Sequence, residues 1–362
     1  MKIKKLKLRD FRNFENLELP FGENITILLG ENAQGKTNIL ESVSYMSTTR
    51  SFRDIQDQQM IKKGKDFANI QIQYIDEKEK QLSSVIHKEG KSFLLFQNPI
   101  TKTSEFIGLL STLVFTPGEL EIFNDAPRNR RRMMDVEIGK VSKKYLFHLK
   151  EYNQLLKERN KYLKEEEINR VYFDTLTERL IETMIPLLEI RKEFVRFLEN
   201  NLENKFNEIT QKKHFVKIIY ETNLSGEKEN YFNLFKKSEE RDLQFKQTHL
   251  GIHRDDLLFY LDDKLITDYA SQGQKRMVLL ALKLSLIHYV EEMSGKKPVL
   301  LLDDVLSELD QKNRIRLFET IPKDIQTIIT TTDIDSYPAE LKNRLKIVEI
   351  KENKTFEWEE RQ

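Results

Sequence analysis

The chain has 362 residues, of which 39% are hydrophobic and 33% are charged. This length allows about two domains with their own cores, and the high charged fraction predicts long, charged helical surfaces. The 60 basic and 59 acidic residues nearly cancel, so net charge gives no indication of a nucleic-acid partner. Cysteine is absent, which excludes disulfide frameworks and thiolate metal sites.

Neither the first ten residues nor the longest apolar stretch indicates a membrane protein. Residues 1–10 alternate lysine with apolar residues and lack the apolar core of a signal peptide. The longest apolar stretch, residues 277–290, contains Lys283 and is too short to cross a bilayer. We therefore expect a cytoplasmic protein with no membrane partner.

The first third of the chain has the apolar alternation of β-strands. Residues 24–29 form a short apolar run that ends at Gly30, which is typical of a buried strand. Ile70 and Ile72 alternate with glutamines, and Gly90 separates two further strand candidates as a hairpin turn does.

The middle of the chain changes in composition. Residues 128–246 are rich in Glu, Lys, Leu and Asn, and the only breakers after Gly139 are Pro186 and Gly226. This composition favours long helices. No sustained heptad is present, so the sequence predicts a compact helical subdomain and not an extended coiled coil.

The last third alternates helices and strands. Predicted helices at 271–291 and 311–320 precede predicted strands at 299–302 and 327–329. This alternation indicates a parallel sheet.

The strongest chemical motif is a phosphate loop, G-x-x-x-x-G-K-[ST], after the strand at 24–29. Lys36 is expected on the β- and γ-phosphates of ATP, and Thr37 on Mg²⁺. The alternative is a fortuitous glycine turn. The nucleotide-binding candidates in this stretch are Gly30, Asn32, Gly35, Lys36, Thr37 and Asn38.

A second motif is a buried strand that ends in two carboxylates, Asp303 and Asp304. Ligands of open α/β sheets bind at the carboxyl ends of the strands. Asp303 is therefore predicted to hold Mg²⁺, and Asp304 to be catalytic by orienting or deprotonating the attacking water. The alternative is a helix N-cap.

A third motif, Ser271-Gln-Gly273-Gln274, opens an amphipathic helix. A serine hydroxyl, a glycine and a helix N-terminus together make an anion site. One nucleotide does not need two phosphate cradles in one chain, so this one is predicted to cap the γ-phosphate held by another copy. The alternative is an ordinary serine N-cap.

With these motifs in this order, the chain resembles the ABC-type ATPase heads of the SMC-like class, and most of all the RecF family of recombination-repair ATPases. The resemblance covers nearly the whole length. Further matching segments lie at residues 8–14, 48–53, 113–117, 127–132, 251–257, 300–310 and 330–333.

The resemblance implies an α/β fold, an ABC-type P-loop ATPase head with an inserted α-helical subdomain. On this interpretation residues 1–126 and 247–362 form the head, and residues 127–246 form a helical arm. The resemblance also implies an ATP-dependent homodimer, weak DNA-stimulated ATP hydrolysis and DNA binding, hence a nucleoid association. It further implies RecO- and RecR-type partners in loading recombinase at single-strand gaps.

Further site residues follow only from the resemblance. It places Arg12 and Asn13 on the nucleotide, although a solvated turn between strands remains the alternative for both. It places a D-loop from Ser307 to Asp310 across the dimer. No switch histidine follows the strand at 327–329, where Thr330 stands instead.

A basic cluster is the candidate DNA contact. Guanidinium groups engage phosphates in pairs of hydrogen bonds, so backbone contacts with little sequence preference are expected. The alternative is a solvated face or pairing with the abundant glutamates. The DNA-binding candidates are Arg128, Arg130, Arg131 and Arg132.

Two other functions remain open from the sequence. A monomeric P-loop kinase or GTPase needs no signature helix, and an ABC-type ATPase subunit with a non-DNA partner needs no basic cluster. ATP-dependent dimerisation tests the first alternative, and DNA binding tests the second.

Overall fold

A computed structural model describes residues 1–305, 311–334 and 345–357. Their internal contacts define two compact units: Met1–Leu120, Lys205–Lys212 and Leu279–Gln362 in the first, Glu121–Asn204 and Lys213–Val278 in the second. The predicted functional division at residues 126 and 246 stays a prediction, and residues 247–278 here lie in the second unit.

Within these residues, strands and helices are numbered in chain order. The strands are β1 (Lys2–Phe11), β2 (Phe14–Pro20), β3 (Ile25–Leu29), β4 (Phe67–Asp76), β5 (Lys78–His87), β6 (Gly90–Leu95), β7 (Asn98–Ile100), β8 (Thr112–Phe115), β9 (Val216–Glu221), β10 (Asp256–Leu261), β11 (Lys264–Leu265), β12 (Val299–Asp303), β13 (Thr327–Thr331), β14 (Leu345–Lys351) and β15 (Lys354–Glu357). The helices are α1 (Lys36–Thr48), α2 (Thr103–Phe106), α3 (Pro127–Val141), α4 (Lys143–Tyr162), α5 (Arg170–Thr210), α6 (Tyr231–Phe245), α7 (Ile266–Tyr269), α8 (Gln272–Ser294) and α9 (Gln311–Thr320).

The first unit contains an antiparallel sheet built from one continuous stretch of sequence. Its strand order is β2-β1-β4-β5-β6-β7. Apolar side chains such as Leu6 and Ile72 alternate with polar ones, so one face of the sheet is buried. The predicted hairpin at Gly90 is confirmed, because Gly90 pairs with His87 at the β5–β6 turn.

The same unit contains a second sheet that draws strands from both ends of the chain. Its order is β15-β14-β3-β13-β12-β8, and every neighbouring pair is parallel except β14 with β15. The predicted strands at 24–29, 299–302 and 327–329 are confirmed as β3, β12 and β13. Because these strands are parallel and adjacent, their carboxyl ends share one edge.

Helix α1 packs in the core between these two sheets. Ile39, Leu40, Val43 and Met46 are fully buried there, in one apolar cluster with residues of both sheets. Burying each such side chain contributes roughly 1.5–3 kcal/mol. The start of α1, directly after β3, is therefore fixed in position.

The second unit is mainly helical, as the composition predicts, but it also contains the sheet β11-β10-β9. The strand β9 lies inside the region predicted to be helical, so that part of the prediction is wrong. Val216 and Ile218 are buried on one side of β9, which pairs antiparallel with β10. The partner strand lies far along the chain, and local composition does not reveal it.

Part of the charge excess lies inside this unit and not on its surface. Arg159 is 1% exposed and its Nη1 donates to Asp242 Oδ2 at 2.8 Å. Arg191 is 2% exposed, and its Nη2 donates to Asp135 Oδ1 at 2.7 Å. Buried ions of this kind persist only when they are paired and hydrogen-bonded.

Candidate functional site

The phosphate loop joins the end of β3 to the start of α1. Gly35 is the residue before the first helical turn, with φ of 98°. Among the described residues, no side chain caps α1, and its first turn contains no acidic residue. The first N–H groups of the helix, and about half a positive charge from its dipole, are thus directed to the loop.

The loop has no room for larger residues at two of its glycines. A Cβ at Gly30 would lie 2.4 Å from the carbonyl oxygen of Ile350. A Cβ at Gly35 would lie 2.5 Å from Asn13 Nδ2 and 2.7 Å from Phe14 Cζ. Together with the positive φ of Gly35, these distances explain why the motif requires glycine there.

Lys36 lies over this loop. Its ammonium group donates to the carbonyl oxygens of Gly30 and Glu31, the latter at 2.7 Å. Burial lowers the pKa of Lys36, whereas the nearby carboxylates Asp304 and Asp303 raise it. The charge of Lys36 is therefore coupled to those of Asp303, the last residue of β12, and Asp304, which follows it.

Asp303 and Thr37 are in direct contact. Thr37 Oγ1 donates to Asp303 Oδ1 at 2.9 Å, and Thr330 Oγ1 donates to the same oxygen at 2.8 Å. Burial raises the pKa of Asp303, and the hydrogen bonds from Thr330 and Thr37 lower it. A hydroxyl and a carboxylate from opposite ends of the chain thus form a pair of oxygen atoms that could hold a metal ion.

Asp304 follows the strand in a left-handed backbone conformation, with φ of 51°. This conformation is uncommon for residues other than glycine, asparagine and aspartate. The backbone N–H of Asp304 donates to Thr330 Oγ1 at 2.9 Å. Sequence reasoning missed the role of Thr330, although a polar residue at the carboxyl end of a neighbouring strand was a usable signal.

The structure brings Asn13 and Asn38 together at the start of α1. Asn38 Nδ2 donates to Asn13 Oδ1 at 2.7 Å, and Asn13 Nδ2 in turn donates to Asn353 Oδ1. Asn32 lies in the exposed part of the loop. The two asparagines line the side of the phosphate loop, where Gly35 leaves space.

The side chain of Arg12 is bound to the buried carboxylate of Glu41. Its Nε and Nη2 donate to the two carboxylate oxygens of Glu41 at 2.8 and 2.7 Å, and its Nη1 donates to the carbonyl of Gln59 at 3.0 Å. Glu41 is fully buried, so it depends on this pairing. Any contact between Arg12 and a nucleotide must therefore coexist with its bond to Glu41.

Arg53 is a site residue to which the sequence motifs assign no role. Its Nη1 donates to Asn38 Oδ1 at 2.9 Å and lies 3.7 Å from Glu41 Oε2. Its charge is also among those that lower the pKa of Asp303. The sequence did offer a signal for Arg53. The segment 48–53, which matches the family, ends in this arginine, and nothing in the local sequence explains an arginine there by structure alone.

The signature motif forms a reciprocal cap at the start of α8. Ser271 Oγ accepts from the N–H of Gln274 at 3.2 Å, and Gln274 Oε1 accepts from the N–H of Ser271 at 2.8 Å. Capping uses the serine oxygen as an acceptor, so its O–H can still donate to a phosphate. The two interpretations of Ser271 are therefore compatible.

Gly273 is exposed, and a Cβ there would come no closer than 4.0 Å to Ser271 Oγ. Packing within the chain therefore does not require glycine at this position. Only a molecule that approaches from outside the chain could require the absence of a side chain there. The predicted D-loop residues Ser307 and Asp310 lie outside the described residues.

The basic cluster is not one surface. Arg130 is 8% exposed and forms a bidentate pair with Asp256, with Nε and Nη2 at 2.7 and 2.8 Å from its carboxylate oxygens. Arg131 donates to the carbonyl of Asp255, and burial lowers its pKa. Intramolecular pairing, the alternative left open by the sequence, thus describes Arg130, while Arg128 is exposed. Arg132 is partly buried.

Comparisons with known proteins identify the family of this chain. The family model of the RecF/RecN/SMC N-terminal domain matches residues 2–356. The DNA replication and repair protein RecF of Lachnoclostridium phytofermentans is 37% identical over 342 residues, covering 93% of this chain and 94% of the relative. RecF of Ligilactobacillus salivarius is 36% identical, covering 99% and 98%.

Solved structures give the same result. The structure of the recombination mediator protein RecF-ATPrS in the RecFOR pathway has a TM-score of 0.89 at 30% identity, covering 99% of this chain and 98% of that chain. An Smc head domain from Pyrococcus furiosus, bound to the C-terminal domain of ScpA, has a TM-score of 0.56 at 17% identity, covering 98% and 95%, and shares the fold. Among the described residues, no helix is long and apolar enough to cross a membrane.

The predicted fold class is therefore confirmed as an SMC-like, ABC-type ATPase fold with mixed α/β sheets. Since both the family model and the relatives cover nearly the whole sequence, this chain belongs to the RecF family of DNA replication and repair proteins.

Proposed function

We propose that this chain binds ATP with Mg²⁺, dimerises on DNA in the ATP-bound state, and hydrolyses ATP slowly to release the DNA. The observation that carries the proposal is the hydrogen bond between Thr37 and Asp303, 2.9 Å long. It joins the hydroxyl of the phosphate loop to the carboxylate of the neighbouring strand. In P-loop ATPases these two groups hold the metal ion of the nucleotide.

The donor set fits Mg²⁺. Hydroxyl and carboxylate oxygens are the hard ligands that this ion prefers, and it binds to proteins through one or two carboxylates plus phosphates. Thr37 and Asp303 would hold it. When bound, Mg²⁺ neutralises negative charge on the phosphate oxygens.

The chain's own residues account for binding and for positioning water. The N-terminus of α1 and the ammonium group of Lys36 bind the phosphates, and Asn13 and Asn38 line the loop beside them. Arg53 adds a positive charge at the same edge. The bond to Thr330 holds the backbone of Asp304 at the end of β12, and we assign to its carboxylate the role of orienting the attacking water and accepting its proton.

The second half of the catalytic site comes from another copy. Ser271 and Gly273 are exposed at the start of α8, and Ser271 keeps a hydroxyl proton to donate. A hydrogen bond from this serine to the γ-phosphate on the other copy would favour the dimer only while ATP is bound. That difference between the two states is what couples dimerisation to hydrolysis.

The relatives support the wider role. Solved RecF structures are described with ATP and in the RecFOR pathway, which supports ATP as ligand and RecO- and RecR-type partners. The relatives' shared role in DNA replication and repair supports DNA as partner, loading of recombinase at gaps, and a cytoplasmic, nucleoid-associated location. Arg128 is the exposed arginine of the basic cluster that we assign to the DNA backbone.

Sedimentation with and without ATP and DNA tests this function. The wild type should sediment as a dimer only with ATP and Mg²⁺. Ser271→Arg should bind ATP but remain a single subunit, because the larger side chain blocks the approach to the γ-phosphate. Asp304→Asn should bind ATP, dimerise and remain dimeric, since it cannot accept the proton of the water.

Three results would contradict the proposal. If the wild type stays monomeric with ATP and DNA, the proposed ATP-dependent dimerisation is excluded. Dimerisation of Ser271→Arg at the ATP concentration that suffices for the wild type would exclude the proposed role of Ser271. Normal turnover by Asp304→Asn would remove Asp304 from catalysis.

A further inference from the structure

The start of α8, which presents Ser271, is fixed by one buried lysine. The N–H of Lys275 donates to the carbonyl of Ser271 at 2.9 Å, the first bond of the helix. Lys275 is 6% exposed, and its Nζ donates to Asn124 Oδ1 at 2.9 Å and to the carbonyl of Thr267 at 3.1 Å. This lysine is therefore turned inward, away from the exposed motif that precedes it.

The segment that receives Lys275 is itself held firmly. Arg130 Nη1 donates to the carbonyls of Ile122 and Asp125, at 3.1 and 2.7 Å, on either side of Asn124. Thr267 Oγ1 donates to the carbonyl of Phe123 at 2.8 Å. One acceptor of the lysine, Asn124, thus belongs to a segment, residues 122–125, which we call the brace, and the other, Thr267, is hydrogen-bonded to that segment.

Burial makes the contact energetically important. A lysine ammonium removed from water is costly unless its hydrogen-bonding capacity is satisfied. Here the satisfying atoms are those of the brace and of α7, so displacing the start of α8 would break charge-assisted bonds. Such bonds are about twice as strong as those between neutral groups.

We propose that Lys275 is a positioning residue that holds the N-terminus of α8 against the brace, so that Ser271 is presented to the nucleotide of a second copy. This inference rests on the proposed function of the dimer and adds to it the residues that orient the signature motif. Lys275 does not touch the nucleotide; it acts through Ser271.

Lys275→Met is the test, with Lys283→Met as the matched control. Lys283 lies on the same helix, is 5% exposed, and donates from Nζ to Glu119 Oε1 at 2.6 Å. Both variants lose a buried ammonium group with its hydrogen bonds, two for Lys275 and one for Lys283, but only the first lies at the signature motif. Each variant is assayed for ATP binding by single subunits and for the dimer dissociation constant at saturating ATP and Mg²⁺.

Lys275→Met should bind ATP as a single subunit with the wild-type affinity, because the phosphate loop is intact. Its ATP-dependent dimer should be weaker by about tenfold or more, as expected for losing a hydrogen bond to a charged group. Lys275→Arg should restore part of the dimer affinity. Asn124→Ala, which changes an exposed residue, should weaken the dimer in the same direction and serves if Lys275→Met folds poorly.

Two results would overturn the inference and leave the proposed function intact. One is a dimer dissociation constant of Lys275→Met equal to that of the wild type, and the other is an equal loss of dimer affinity in Lys283→Met. Hydrogen exchange in single subunits tests it independently of dimerisation. The amides of residues 272–276 should exchange faster in Lys275→Met than in Lys283→Met. Equal exchange in the two variants would overturn the inference even if the wild type never dimerises.

Discussion

The hydroxyl of Thr330 donates a hydrogen bond to Asp303 Oδ1 at 2.8 Å and at the same time accepts one from the backbone N–H of Asp304 at 2.9 Å. One side chain on β13 therefore holds the carboxylate of Asp303 and the backbone of Asp304. It stands where a switch histidine is found in many ABC-type heads, and its contacts suit a different task, which is to support Asp303, the residue that we propose as metal ligand.

Thr330→Val removes both hydrogen bonds while it keeps the shape of the side chain. Loss of an outer partner of a metal ligand typically lowers metal affinity or activity by about 10–100-fold. We expect Thr330→Val to need a Mg²⁺ concentration about 10–100-fold higher than the wild type for half-maximal single-turnover ATP hydrolysis. Thr327→Val, at the other end of the same strand, is the control, and an equal effect of the two variants would count against the role of Thr330.

Lys36→Ala should abolish ATP binding and leave the protein folded. The buried ammonium bonds only to loop carbonyls Gly30 and Glu31 among its described hydrogen-bond partners, and burial lowers the pKa of Lys36, so its loss costs the fold little. A ligand present at about 100 times its Kd stabilises a protein by about 2.7 kcal/mol, so the wild type should show a clear rise of Tm with ATP.

The variant should show no such rise. Lys91→Ala is a suitable control, because Lys91 also donates to a backbone carbonyl, that of Thr49, at 2.6 Å. It should keep the ATP-dependent rise of Tm. A rise in Lys36→Ala equal to that of the wild type would contradict the phosphate-loop role.

Arg130 and Arg128 should behave differently although they are two residues apart. Arg130→Met leaves Asp256 buried without its bidentate partner, which should lower the free energy of unfolding by about 3–5 kcal/mol. Arg128→Ala should leave stability unchanged and make the log–log slope of DNA affinity against salt shallower by about 0.9 for each phosphate that it no longer neutralises. Urea unfolding and binding titrations at several salt concentrations measure the two effects. An unchanged slope in Arg128→Ala would exclude this arginine from the phosphate-binding surface.

His253 should make the second unit sensitive to acid. Burial lowers the pKa of His253 to about 4, and Arg254 and Arg131 lower it further, against the raising effect of its bond to Thr248. The unfolded chain takes up this proton near pH 6.5, the folded chain only near pH 4, so the free energy of unfolding falls as pH falls through that window.

The expected contribution of His253 between pH 7 and pH 5 is about 2 kcal/mol. His253→Gln should show a smaller decrease in urea stability over that range than the wild type. The exposed His87→Gln should show the full decrease. If His253→Gln and the wild type lose stability equally, the histidine does not account for the acid sensitivity.

Local patterns predicted the parts of the fold that depend on neighbouring residues. The buried strand β3, the helix α9 and the carboxylate strand β12 all carry their signal in a few consecutive side chains. The phosphate loop was evident for the same reason. Its glycines, lysine and threonine act at fixed spacing within one turn of the chain.

Several unpredicted features depend on partners far along the chain. For Arg130 the sequence left DNA contact and intramolecular pairing open, and its partner Asp256 lies 126 residues away. The bond from Lys275 to Asn124 spans 151 residues. Neither pairing leaves a trace in local composition, because any acidic or amide residue elsewhere could have supplied the acceptor.

The position of β3 has a consequence for synthesis of the protein. Both of its neighbours in the sheet, β13 and β14, are made last, whereas the antiparallel sheet is complete after residue 100. At roughly 5–20 residues per second, the apolar strand before the phosphate loop waits about 15–60 s on the ribosome for its partners. We therefore expect a nascent or prematurely terminated chain to lack an ordered nucleotide pocket, so that ATP binds only once nearly the entire polypeptide has been translated.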